Sequence, residues 1–180
     1  MRADLHMHSR WSDGSLEVSN LIKLGKKSGL SVMSITDHDT MEGQEEVRIE
    51  GKKQGVRTIN GVEISACNPE TGRKVHILGY NIADEKAVTE TLRPYLTERH
   101  EAVKSAVERI AKAGYAVDLE DVLAYAGRGG YLYKQHIMHA LADRGYTTSI
   151  YGELNKKLFG KNGIPLSEAG ISRPWRRYGW

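Results

Sequence analysis

Asp4-Leu5-His6-Met7-His8 opens the chain with two histidines one residue apart, and the fold is read outward from it. Side chains alternate faces along a strand, so His6 and His8 project the same way. At ~3.3 Å rise per residue their Cα atoms stand about 6–7 Å apart, a spacing at which two imidazoles chelate one metal ion. More donors follow later apolar, β-prone runs. Asp13 comes after the first run, Asp37-His38-Asp39 after Ser31 to Thr36, and Glu63 after Val56 to Val62, while His76 lies within Lys74 to Gly79. Taken singly, Asp37 and Asp39 also fit helix caps, and Asp13-Gly14 fits a plain turn. Six donors at strand ends, including a His-x-His pair, point jointly to a metal site.

Between these runs the spacing predicts helices from Ser15 to Ser28 and from about Met41 to Gln54. Ser15 is the candidate N-cap of the first, and Gly29 and Gly55 follow the two ends. Strand–helix alternation predicts an α/β fold with a parallel sheet, whose strand C-termini gather the donors at one mouth. From Ala83 to about Gly114 the pattern turns helical. Val103, Ala106, Val107, Ile110 and Ala111 form an apolar stripe, Pro94 is a candidate break, and His100 is expected to be exposed. Asp118 is expected to cap a short helix. Gly127-Arg128-Gly129-Gly130 reads as a loop before helices at about 133–144 and 149–158.

Charge and composition narrow the class. The 180 residues carry a net charge of +3 and 39% apolar side chains. The pI near 8.9 and mean hydropathy of −0.50 suit a soluble protein acting on an anionic substrate. No run approaches the ~18 apolar residues of a membrane span, and no secretory leader is apparent. A single cysteine, Cys67, cannot form an internal disulfide or a thiolate-rich zinc site. A cytoplasmic location is expected.

Five motifs carry a family resemblance. Asp4-Leu5-His6-Met7-His8-Ser9, Trp11-Ser12-Asp13-Gly14, Ile35-Thr36-Asp37-His38-Asp39-Thr40, Gly61-Val62-Glu63-Ile64-Ser65 and Val75-His76-Ile77-Leu78-Gly79-Tyr80 resemble the polymerase and histidinol phosphatase (PHP) family. The similarity is greatest to its branch of nucleoside 3′,5′-bisphosphate phosphatases and 5′-to-3′ exoribonucleases. The resemblance implies a distorted (β/α)7 barrel, here incomplete, with a helical insertion. It implies up to three divalent ions (manganese, iron, magnesium or zinc) held by His6, His8, Asp13, His38, Glu63 and His76. Glu63 would bridge two of them, and Asp13, His38 and Glu63 would be the catalytic members. Mixed N/O ligation leaves the metal's identity open. The implied reaction is hydrolysis of nucleotide or RNA 5′-end phosphate esters by metal-activated water.

The same resemblance places Lys134 and His136 over the metals as contacts to substrate phosphate, with Arg128 as a further candidate. Lys134 stands where the family has arginine, so a bidentate fork becomes a point charge. Relatives add a later Ala-His-Pro-like histidine and a final Asp-x-His pair, whereas the last histidine here is His139 and the last aspartate Asp143. The chain therefore reads as residues 1–82 of metal-bearing barrel, 83–160 of helical cap and 161–180 of atypical tail, as if cut short. An incomplete parallel sheet leaves an edge that invites pairing with another chain. Alternatives are an impaired domain that only binds metal and phosphate ligands, and a histidinol-phosphate phosphatase.

Overall fold

The computed structural model describes residues 1–68, 70–160 and 163. The expectation of an atypical tail at 161–180 lies outside the described residues apart from Gly163. The elements in order are β1 (Ala3–Met7), α1 (Val18–Lys27), β2 (Val32–Ile35), α2 (Gln44–Gln54), β3 (Arg57–Thr58), β4 (Gly61–Cys67), β5 (Lys74–Tyr80), α3 (Glu85–Lys112), α4 (Leu119–Leu123), α5 (Lys134–Asp143) and α6 (Glu153–Phe159). They form two compact units, Met1–Tyr95 and one beginning at Leu96, so the boundary falls inside α3.

In the first unit, strand–helix alternation produces a three-stranded parallel sheet in the order β1-β2-β3, as the sequence pattern predicts. Ile22 of α1, Val47 of α2 and Met33 and Ile35 of β2 are buried together. Each such side chain contributes about 1.5–3 kcal/mol when withdrawn from water. Gln44 is also fully buried. Its amide donates to the Ile35 carbonyl at 2.8 Å and the Gly61 carbonyl at 2.9 Å, tying β2 to β4.

The expectation of parallel strands throughout fails after β3. β4 and β5 pair antiparallel, with Ser65 opposite His76 and Glu63 opposite Leu78. The connection from Asn68 to Arg73 is too short for a parallel crossover. It closes as a turn in which the Asn68 side chain accepts from the backbone N–H groups of Glu70 and Thr71. Glu63 consequently lies inside β4, and not at the end of the 56–62 run. That run is interrupted at Asn60, whose side chain bonds both backbone groups of Ile82.

Helix boundaries shift for local reasons. Ser15 does not cap α1, because the Leu16 carbonyl closes the preceding loop by accepting from Arg10 N–H at 3.0 Å. Glu17 occupies the cap position without a side-chain cap bond. α2 starts at Gln44, after a turn that buries Met41 against Val62 and Leu92. Pro94 does not interrupt α3. Glu90 and Pro94 are both exposed, so water can replace the helical N–H that proline lacks.

The second unit is helical and has its own core. Val103, Val107, Ile110, Leu132, Ile137 and Leu141 pack together, matching the apolar stripe in α3. Asp118 caps α4 through a reciprocal box with Asp121. His100 is partly buried and not exposed, with its ring edge-on to Tyr131 at 6.3 Å. Burial lowers its pKa below the ordinary value. No helix among the described residues is long and apolar enough to cross a membrane.

Candidate metal centre

β1 delivers His6 and, one residue past its end, His8. The loop after it delivers Asp13. His38 follows β2 and forms an isolated parallel bridge with Glu63, while β5 brings His76 over the same side chain. Glu63 sits at the centre. Its Oε2 lies 2.9 Å from His6 Nε2, 2.7 Å from His8 Nε2 and 3.6 Å from His38 Nε2. Its Oε1 lies 2.6 Å from His76 Nδ1. Asp13 Oδ1 is 2.7 Å from His8 Nδ1, and Asp13 Oδ2 is 3.8 Å from His38 Nε2.

Burial is graded across this cluster. The Glu63 and Asp13 side chains are 4% and 6% exposed, whereas His6 and His76 are half exposed. Carboxylates therefore form a floor and two imidazoles form a rim. Three overlapping groups emerge: His6–His8–Glu63, His8–Asp13–His38 and His38–Glu63–His76. Within each, the nitrogen and oxygen atoms lie within 4.8 Å of one another. His8, His38 and Glu63 each belong to two groups.

The backbone that presents these groups is tightly constrained. The 9–14 loop folds around the Ser9 carbonyl, which accepts from the Ser12 and Gly14 N–H groups at 3.1 and 3.0 Å. A Cβ on Gly14 would meet the His8 carbonyl oxygen at 2.3 Å, so this close approach requires glycine. Trp11 donates from its indole to Glu46 of α2 at 2.9 Å. Asp39 adopts φ of 57° and accepts from the Ser65 N–H at 2.7 Å, holding β4 alongside.

Electrostatics report a site built for positive charge. Burial alone would raise the Asp13 pKa, but the His8 hydrogen bond and the His38 and His8 charges bring it down to about 2. Burial alone would lower His8, yet its bond to Asp13 and the charges of Asp13, Glu63 and Asp37 raise it above the ordinary value. Glu63 is lowered despite burial by the His6 bond and the surrounding imidazoles. His8 Nε2 is enclosed and close to Glu63 Oε2 without the alignment of a hydrogen bond. Such convergence of lone-pair atoms suits a shared cation, and mixed imidazole and carboxylate donors suit zinc, iron or manganese. The residues present fit divalent ions.

All six ligands expected from sequence thus come together. The PHP domain profile matches residues 4–148. The chain belongs to the PHP domain family. It is 36% identical over 165 residues to a phosphoribosyl 1,2-cyclic phosphate 1,2-diphosphodiesterase of Eggerthella lenta, covering 91% of this chain and 63% of that protein. It is 36% identical over 124 residues to a 5′-3′ exoribonuclease of Haemophilus influenzae, covering 69% of this chain and 40% of that one. The chain thus spans less than two thirds of either relative. A crystal structure assigned as a metal-dependent phosphoesterase of Bifidobacterium adolescentis superposes with a TM-score of 0.79 at 26% identity, covering 91% of this chain and 58% of that one. The mixed α/β fold is therefore that of PHP phosphoesterases.

The remaining expected site residues belong to the second unit. Lys134 opens α5 and is half-buried, Arg128 is exposed, and His136 is buried with its Nδ1 accepting from Tyr133 N–H at 3.3 Å. Ser9, Ser12 and Gln44 were not among the sequence candidates, and Asp37 was weighed only as a donor or a helix cap. Ser9 and Ser12 each adjoin an expected ligand, a local signal that was available.

Proposed function

We propose that this chain is the metal-binding part of a phosphoric ester hydrolase that uses metal-activated water on phosphate esters of ribose: nucleotides, ribose cyclic phosphates or RNA 5′ ends. The carrying observation is Glu63, whose two oxygens both meet imidazoles, three at Oε2 and one at Oε1. That disposition suits a carboxylate bridging two ions. His6, His8, Asp13, His38, Glu63 and His76 would hold them, with manganese the first choice. Bound divalent ions would supply the charge that activates water and stabilises the phosphoester's transition state.

The chain's own groups orient that chemistry. Asp13 and Glu63 keep negative charge in the floor, which fixes the four imidazoles facing inward. His6 and His76, at the exposed rim, leave an approach for an anionic ester. Lys134 and His136, with Arg128, are proposed to bind a phosphate that is not cleaved, and so to position the reacting one. The names of the relatives, a cyclic phosphodiesterase and an exoribonuclease, support phosphate attached to ribose as the common element. A cytoplasmic setting fits the single cysteine. The barrel expected from sequence belongs to this proposal too.

The test is phosphate release from a nucleoside 3′,5′-bisphosphate by the metal-stripped chain before and after adding manganese. Activity that returns with manganese supports the assignment. Equal turnover in excess chelator would refute it.

A further inference from the structure

Resting on the metal reading above, we infer that Asp37 is a positioning residue for the His8–Asp13–His38 group, clamping its three chain segments in one buried knot. Asp37 Oδ1 accepts from the Ser9 N–H at 2.8 Å and from the Ser12 hydroxyl at 2.6 Å. Asp37 Oδ2 accepts from the Ser9 hydroxyl at 2.6 Å. The three residues are 0–2% exposed, so water cannot substitute for any of these bonds.

The covalent neighbourhood gives the knot its meaning. Ser9 follows His8, Ser12 precedes Asp13, and Asp37 precedes His38. Each member of one candidate metal group therefore has a bonded neighbour inside the knot, whereas Asp37 belongs to none of the three groups. The contacts span 25 and 28 residues of sequence, joining the end of β1 to the end of β2. The three bonds are short, at 2.6 to 2.8 Å, which suits a strut that resists displacement. The Asp37 carbonyl also accepts from the Glu63 N–H at 3.2 Å, so the residue touches the framework on both sides.

A selective consequence follows. Asp13 depends on the 9–14 loop, and that loop is held against β2 by Asp37. The other two groups share His8 and His38 with this one. Each also holds members fixed by strand pairing in β1, β4 and β5, namely His6, Glu63 and His76, so Asp13 is the one member peculiar to this group. Loosening the knot should fall first on the ion held with Asp13. Groups that orient metal ligands from behind typically change affinity 10–100-fold, and Asp37 acts one bond further back.

The experiment is calorimetric titration of the metal-stripped full chain with manganese, for wild type, Asp37→Ala and Ser12→Ala. Thermal unfolding of each metal-stripped protein runs alongside. Asp37→Ala should weaken one class of manganese site by about ten-fold and the remaining class, which shares only His8 or His38 with it, by clearly less. Ser12→Ala, which removes one of the three donors, should weaken the same class less and lower the unfolding temperature less than Asp37→Ala does. This milder variant keeps the inference testable if Asp37→Ala does not fold. Unchanged isotherms, or equal weakening of every class in Ser12→Ala, would overturn it. A wild type that binds no manganese would remove the metal reading itself, a result distinct from both.

Discussion

His38 in the first unit and His136 in the second are buried alike, at 8% and 3% exposure, yet their surroundings differ in kind. His38 lies between the carboxylates of Asp13 and Glu63, with the rings of His8 and His76 at 4.6 and 4.9 Å. His136 sits beside Ile137 and Leu132 of an apolar core, with the Tyr133 ring edge-on at 5.5 Å. Burial by itself does not distinguish an imidazole placed to hold a metal ion from one proposed to meet a phosphate. Neighbouring carboxylates do, because they compensate a cation that apolar walls would reject.

The comparison is most exposed at Glu63. Glu63→Gln keeps the shape but removes the charge that four imidazoles face. Outer partners of metal ligands already cost 10–100-fold, so loss of a bridging ligand should cut manganese-dependent phosphate release by at least about a hundred-fold. A steady-state assay checks this, and near-normal turnover would mean that the carboxylate floor does not organise the site.

Acidification probes the same floor more gently. Ligation needs neutral imidazole, and the Asp13 bond and nearby carboxylates hold the His8 proton to higher pH than usual. Protons should therefore outcompete metal as pH falls, and manganese affinity should drop at least about ten-fold between about pH 8 and about pH 6. A pH series of metal titrations reads this directly; pH-independent affinity would argue against histidine ligands.

Much of this contrast was legible in the residues. The period-two spacing of His6 and His8 is a local rule that pointed to a chelating pair, and the family resemblance singled out the six members of the cluster from the donors near apolar runs. The β1-β2-β3 sheet followed from helix-length connections for the same reason. The antiparallel turn at Asn68 was hidden, since it depends on side-chain bonds within a six-residue link. Asp37 read equally well as a helix cap, because its partners Ser9 and Ser12 lie 28 and 25 residues away. His100 was misjudged because Tyr131, whose ring meets it edge-on, is distant in sequence.

The second unit offers the smaller test. If Lys134 contacts a substrate phosphate, Lys134→Ala should weaken binding of a bisphosphate ligand about ten-fold, from a charge-assisted bond of about 1.5–3 kcal/mol. Metal content should not change. Altered metal content with unaltered ligand affinity would reverse the division of labour between the two units.

Elemental analysis of the purified chain and of the His6→Ala, His8→Ala double variant addresses the metal centre most directly. Removing the pair takes away two of the three donors in one group and one of three in another. Wild type should carry divalent metal that survives dialysis, and the double variant should lose most of it. Equal metal content in the two proteins would contradict the assignment of this cluster as the metal centre.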